Sequence, residues 1–121
     1  MKTGVIILGH GSRAREANLV FSKLVEMIEQ KVEYDLVSRA SMELAEPNLE
    51  QSVADLVAQE VEKIVVVPLF LFPGIHMQED IPCLIEEVSQ QYQAVEFLLG
   101  DNIGADEKVA EIMVDRIAEV G

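Results

Sequence analysis

Cysteine is almost missing from this chain: Cys83 stands alone among 121 residues. One thiol cannot close an intramolecular disulfide, and no C-x-x-C spacing is available for a redox or metal motif. A reducing, cytoplasmic location is therefore expected. Basic residues are also scarce. Nine Lys and Arg stand against 22 Asp and Glu, a formal net charge of −13. That balance weighs against non-specific binding to nucleic acid or an anionic membrane, and it attracts cations, metal ions included. Long apolar runs are absent. The longest, Ile64 to Phe72, contains Pro68 and falls far short of the ~20 residues a spanning helix needs. Met1-Lys2-Thr3, followed by a few apolar residues and then His10, lacks the layout of a secretory signal. Histidine is rare too, with His10 and His76 the only two.

What is present is enough for a core: half the residues are hydrophobic. The length suits one domain, residues 1–121. Apolar runs and helical patterns alternate. Gly4–Leu8 reads as a strand buried on both faces. From Arg13 to about Gln30, Ala17, Val20, Phe21, Leu24, Val25 and Ile28 recur at helical spacing. Tyr34–Ser41 is a more polar strand, suited to an edge. Pro47 marks the start of a helix whose apolar face is Leu49, Val53, Leu56, Val57 and Val61. Ile64–Phe72 is the third strand, and a helix follows from Asp80 or Ile81 to Tyr92. Ala94–Leu99 is the fourth strand. Ala105 to about Glu119 is the last helix, with Val109, Ile112, Met113 and Ile117 inward. The expected fold is three-layer α/β: a four-stranded parallel sheet, order 2-1-3-4, with helices on both faces.

In that order the sheet reverses direction of winding between the first and third strands, and ligands bind at the carboxyl edge of such a switch point. His10, in Gly9-His10-Gly11-Ser12-Arg13, follows the first strand. His76 follows the third. Topology places the chain's two histidines on opposite walls of one crevice. Met42-Glu43 follows the second strand on the same rim. Imidazole suits divalent Zn, Fe, Co and Ni, and a carboxylate can complete a partly open site. Each residue also has a plainer reading. Glu43 can be a solvated loop charge, Ser12 a helix N-cap, and Arg13 and Arg15 ordinary helix-surface charges. Cys83, inside a predicted helix, reads as a packed thiol. Phe70 and Phe72 read as core. Ile75 and Met77, past the strand, can line a pocket.

Several alternatives lack their motifs. G-H-G-S-R-A has no third glycine for a dinucleotide loop, there is no G-K-[ST], and G-H-G-S is not a nucleophile elbow. A receiver domain needs an acidic pair after the first strand and an aspartate after the third; glycine, histidine and proline stand there instead. A metal-dependent hydrolase lacks a phosphate clamp. A non-catalytic metal carrier or tetrapyrrole-binding protein would use the same residues.

The chain resembles a class II tetrapyrrole chelatase of the short CbiX type. The resemblance rests on Leu8-Gly9-His10-Gly11-Ser12-Arg13, Met42-Glu43-Leu44-Ala45-Glu46-Pro47 and Val67 to His76, continued by Glu79-Asp80-Ile81-Pro82 and Asn102-Ile103-Gly104-Ala105-Asp106. It covers essentially the whole chain. It implies insertion of a divalent metal, Co²⁺ favoured over Fe²⁺ or Ni²⁺, into sirohydrochlorin on a cobalamin, sirohaem or nickel-tetrapyrrole route. The metal is then substrate, with no tightly bound cofactor. The family's metal-binding histidines fall on His10 and His76 and its acidic residue on Glu43, as ligands and candidate bases. Gly11, Ser12, Arg13, Ile75 and Met77 are the expected substrate contacts. Short members act as homodimers, with the cleft built from two chains. No nucleic acid or membrane partner is expected. A polycarboxylate substrate must still be held by a protein of like charge, a task for Arg13 and the amides of Gly11 and Ser12.

Overall fold

The computed structural model describes residues 2–72 and 74–121, except for the side chains of residues 75–77. Four strands alternate with four helices: β1 (Thr3–Gly9), α1 (Arg15–Lys31), β2 (Leu36–Ser41), α2 (Leu49–Ala58), β3 (Lys63–Pro68), α3 (Ile75–Gln91), β4 (Glu96–Leu99) and α4 (Glu107–Val120). The strands form one parallel sheet in the order β2-β1-β3-β4, as the alternating pattern predicts.

β1 is apolar on both faces because both are covered. Ile6 and Leu8 point to one side, where they pack with Ile64, Val66 and Ala40 of the sheet, Leu49, Val53 and Leu56 of α2, and Ile81, Ile85 and Val88 of α3. Val5 and Ile7 point to the other, against Val25 and the half-buried Phe21 and Ile28 of α1. This is the period-2 alternation of a strand between two helical layers. The C-terminal ends of the central strands are locked in register, with Leu8 opposite both Ala40 and Pro68.

The structure moves several boundaries. The ladder of β3 ends at Pro68, not Phe72. β1 turns away at Gly9–Gly11, so the last bond on that side is from the Leu69 amide to the Leu8 carbonyl. Residues 70–71 pair instead with the segment after β4, through Ile103 N–H to Phe70 O and Gly104 N–H to Leu71 O. The helix starts at Ile75, earlier than the expected Asp80 or Ile81. Pro82 lies inside α3, where its missing N–H normally costs about 3 kcal/mol. The Gln78 amide bonds to Gly74 O to close the first turn, and buried Ile81, Ile85 and Val88 anchor the turns that follow. Pro47 precedes α2, whose N-cap is Asn48, with a reciprocal capping box to Gln51. α1 is capped at Ala14 without a side-chain bond; the Ser12 hydroxyl accepts from the Ala14 N–H instead, so Ser12 is not the cap.

Two burial expectations fail. Cys83 is exposed, on the outer side of α3. α4 does not face inward: Ile112, Met113 and Ile117 are 50%, 55% and 63% exposed, and α4 buries no residue. α1 also leaves Leu19, Val20, Leu24 and Met27 exposed. An amphipathic period requires an apolar partner for the stripe, but not that the partner be the same chain.

Candidate functional site

The site grows out of the carboxyl edge of β1 and β2. Their ladder continues one step beyond the strands, with Met42 N–H bonded to Gly9 O at 2.9 Å and Glu43 N–H to His10 O at 3.2 Å. Backbone pairing therefore sets His10 and Glu43 side by side, although they are far apart in sequence. Gly11 makes this possible. Its φ is +94°, and a Cβ there would lie 1.7 Å from the Glu43 carbonyl oxygen. Only glycine allows both that backbone angle and that approach. Gly9 is also confined, since an added Cβ would meet the Phe21 ring at 2.9 Å.

His10 Nε2 and Glu43 Oε1 lie 3.6 Å apart, and both side chains are 59% exposed. With donor bonds of about 2.1 Å, one ion touching both atoms across that 3.6 Å gap would subtend roughly 120° between them. That angle suits a tetrahedral or partly filled site, and the exposure leaves room for further ligands. The imidazole is set by Phe70, whose ring meets it edge-on at a centroid distance of 6.2 Å and an interplanar angle of 73°. Such a T-shaped contact fixes ring orientation without occupying a nitrogen.

Gly9, Phe21, Leu69 and Phe70 line a mostly apolar hollow of about 210 Å³ beside His10. On the far side of Phe70, a second hollow of about 260 Å³ lies between the ends of β3 and β4, lined by Phe72, Ile81, Pro82 and Leu99 among others. Phe70 thus forms a wall between two apolar surfaces at the rim, and Phe72 is 79% exposed there. Both were expected in the core: half-buried Phe70 does pack against the main core cluster while also bordering the site, whereas Phe72, well past Pro68 where the ladder stops, does not.

Ser12 and Arg13 sit in the loop entering α1 and line a third, more polar hollow, together with Arg39 of β2. Arg39 did not stand out in the sequence, because a lone charge on an edge strand resembles a solvated one. His76 falls in the first turn of α3, directly after the loop from β3. The expected side-chain roles of His76, Ile75 and Met77 lie outside the described residues. Among the described residues, no group of three or more His, Cys, Asp or Glu gathers to hold a metal. The described donors are the His10–Glu43 pair.

The family model for CbiX matches residues 4–120 of the chain. The chain is 38% identical over 114 residues to the chloroplastic sirohydrochlorin ferrochelatase of Arabidopsis thaliana, covering 94% of this chain and 51% of that protein. It is 33% identical over 135 residues to the sirohydrochlorin cobaltochelatase of Methanopyrus kandleri, covering 95% of this chain and 94% of that one. The crystal structure of the sirohydrochlorin chelatase SirB from Bacillus subtilis subspecies spizizenii in complex with cobalt superposes with a TM-score of 0.95 at 30% identity, over 99% of this chain and 51% of SirB. The chain therefore spans about half the length of the Arabidopsis relative and of SirB, and nearly all of the Methanopyrus relative. The β2-β1-β3-β4 parallel sheet and the match of the family model over residues 4–120 agree: this chain belongs to the CbiX family.

Proposed function

We propose that the chain inserts a divalent metal into sirohydrochlorin at the carboxyl edge of its sheet. The observation that carries this is the 3.6 Å approach of His10 Nε2 to Glu43 Oε1 on an open rim flanked by apolar walls. Insertion requires an ion that is held weakly, faces the ring nitrogens and sheds water as it enters. Two pyrrole N–H protons must leave. Neutral imidazole and carboxylate bind a divalent ion with positions to spare, and either can accept a proton. His10 and His76 are assigned as metal ligands and candidate bases, and Glu43 as ligand or base. The apolar walls at Phe70 and Leu69 suit the flat macrocycle, and Ile75 and Met77 are proposed as further substrate contacts. Co²⁺ is the favoured metal, because sirohydrochlorin cobaltochelatases recur among the relatives and SirB binds cobalt in its crystal structure. The lone exposed thiol fits work in the cytoplasm.

Anaerobic incubation of the protein with excess sirohydrochlorin and Co²⁺, Fe²⁺ or Ni²⁺ in turn, followed by absorption spectroscopy, tests this. Many turnovers per chain are expected, fastest with Co²⁺. Transfer that stops at one equivalent would mark a carrier. In the same assay Glu43→Gln should insert metal at least about tenfold more slowly, roughly 1.4 kcal/mol in barrier. The fold should hold, since Glu43 is a rim residue with an exposed side chain. A wild-type rate in Glu43→Gln across metal concentrations and pH would make it a bystander.

The working unit is proposed to be a homodimer with the cleft between two chains. The support is that α4 and α1 carry exposed apolar stripes, and α4 buries no residue. Removing several such side chains from water stabilises an interface at about 25 cal/mol per Å². Sedimentation should give a dimer, and Ile117→Asp should shift it to monomer with loss of insertion. A fully active wild-type monomer at working concentration contradicts the proposal.

A further inference from the structure

The chain is strongly acidic, yet two of its few arginines border one hollow and neither has an acidic partner among the described residues. Arg13, from the loop entering α1, and Arg39, near the end of β2, line a cavity of about 450 Å³ with Ser12, Ser22 and Ser41. Glu46 is its one carboxylate. Glu26 and Glu29 border Arg39 on the other side, in an adjoining depression. Even so, the ion pairs among the described residues are only His10–Glu43 and Arg116–Glu119. Two guanidinium groups with their donors unused, beside three hydroxyl groups, form a surface that attracts an anion within a field that otherwise repels it.

Arg39 is firmly placed. Its backbone pairs with Ile7 of β1, and the buried Ser52 of α2 donates its hydroxyl to the Arg39 carbonyl. The neighbouring Ser41 is tied to Pro47 by its amide. Arg13 leads into α1, where Asn18 donates to the Ser12 carbonyl at 2.9 Å and holds the loop. The cavity shares Ser12, Asn18 and Phe21 with the apolar hollow beside His10. An apolar wall next to the metal donors thus runs directly into a basic recess. That is the layout a flat ring with carboxylates on its periphery requires.

Building on the chelatase reading, we propose that the Arg13–Arg39 recess takes a peripheral carboxylate of the tetrapyrrole and so orients the ring over His10. Arg39 is a specificity residue that touches substrate away from the reacting nitrogens. It offsets the repulsion between an acidic protein and an acidic substrate.

The test is equilibrium binding of metal-free sirohydrochlorin, read by its own absorption and fluorescence, alongside steady-state insertion of Co²⁺. Arg39→Gln should raise both the Kd and the KM for sirohydrochlorin about tenfold. The KM for Co²⁺ should stay unchanged, and the salt dependence of tetrapyrrole binding should flatten. Arg39→Lys should recover part of the loss, as a point charge lacking the planar fork. Lys63→Gln, the same charge change at the opposite end of the sheet, should match wild type. Tetrapyrrole binding by Arg39→Gln as tight as wild type overturns the proposal. So does an effect confined to inhibition by inorganic phosphate, which would mark a site for a free anion. Wild-type protein that binds sirohydrochlorin but inserts no metal refutes the chelatase reading alone, and the recess is then judged by the binding arm.

Discussion

Gly11→Ala is expected to lower metal insertion at least about a hundredfold, close to 2.7 kcal/mol in barrier. Two costs combine at this residue. The φ of +94° disfavours any side chain, and the added Cβ would fall 1.7 Å from the Glu43 carbonyl oxygen. The second cannot be relieved by a rotamer, because the obstacle is backbone. The loop must move, and the first bond to go is Glu43 N–H to His10 O, which sets the two donors side by side. The damage therefore lands on the site rather than the core, whose buried residues come from the strands, from α1, α2 and α3, and from Val61 between α2 and β3. Gly104→Ala separates the two costs: its φ is +62°, but nothing lies within 4 Å of an added Cβ. It should lose only the conformational share of stability, about 1 kcal/mol, and keep its insertion rate. Thermal unfolding and initial insertion rates of the two variants, measured together, check this. Equal insertion by Gly11→Ala and wild type would remove the close approach from the account.

His10→Ala is expected to cost at least as much, again about a hundredfold or more in insertion rate. It removes the proposed imidazole ligand beside Glu43 and the edge contact with Phe70. Stability should change little, because the side chain is 59% exposed and carries no core packing. Raising Co²⁺ should recover part of the rate if His10 acts only as a ligand, and none of it if His10 also takes a pyrrole proton. Rates against Co²⁺ concentration distinguish the two. Retention of wild-type rate at low Co²⁺ would exclude both roles.

The sheet order was readable because its causes are local and repetitive. Gly4–Leu8 has no polar face, Tyr34–Ser41 does, and amphipathic helices separate the strands. Right-handed crossovers leave few arrangements for such a pattern. The rim position of His10 and Glu43 followed from that order alone. What local pattern could not supply was where tertiary contacts outweigh a single residue. A helix was expected only from Asp80 or Ile81, yet α3 begins at Ile75, and buried Ile81, Ile85 and Val88 carry it through Pro82. Ile64–Phe72 reads as one strand, yet its partner β1 turns away at Gly9, and Phe70 becomes a wall of the site. The stripe of α4 was legible as a stripe, but periodicity does not say whether the surface it meets belongs to the same chain. Arg39 was invisible for a related reason: its meaning lies in the cavity it shares with Arg13, a neighbour only after β2 pairs with β1.

The central claim, that the histidines and the carboxylate of this rim hold one incoming metal, is tested most directly by a crystal structure of the protein with Co²⁺. The account predicts one cobalt ion bound by imidazole nitrogens of His10 and His76, within a chain or across a dimer cleft, with the Glu43 carboxylate beside it and at least one position open toward the apolar wall at Phe70. Cobalt bound elsewhere, or two imidazoles too far apart to share an ion in either arrangement, would contradict it.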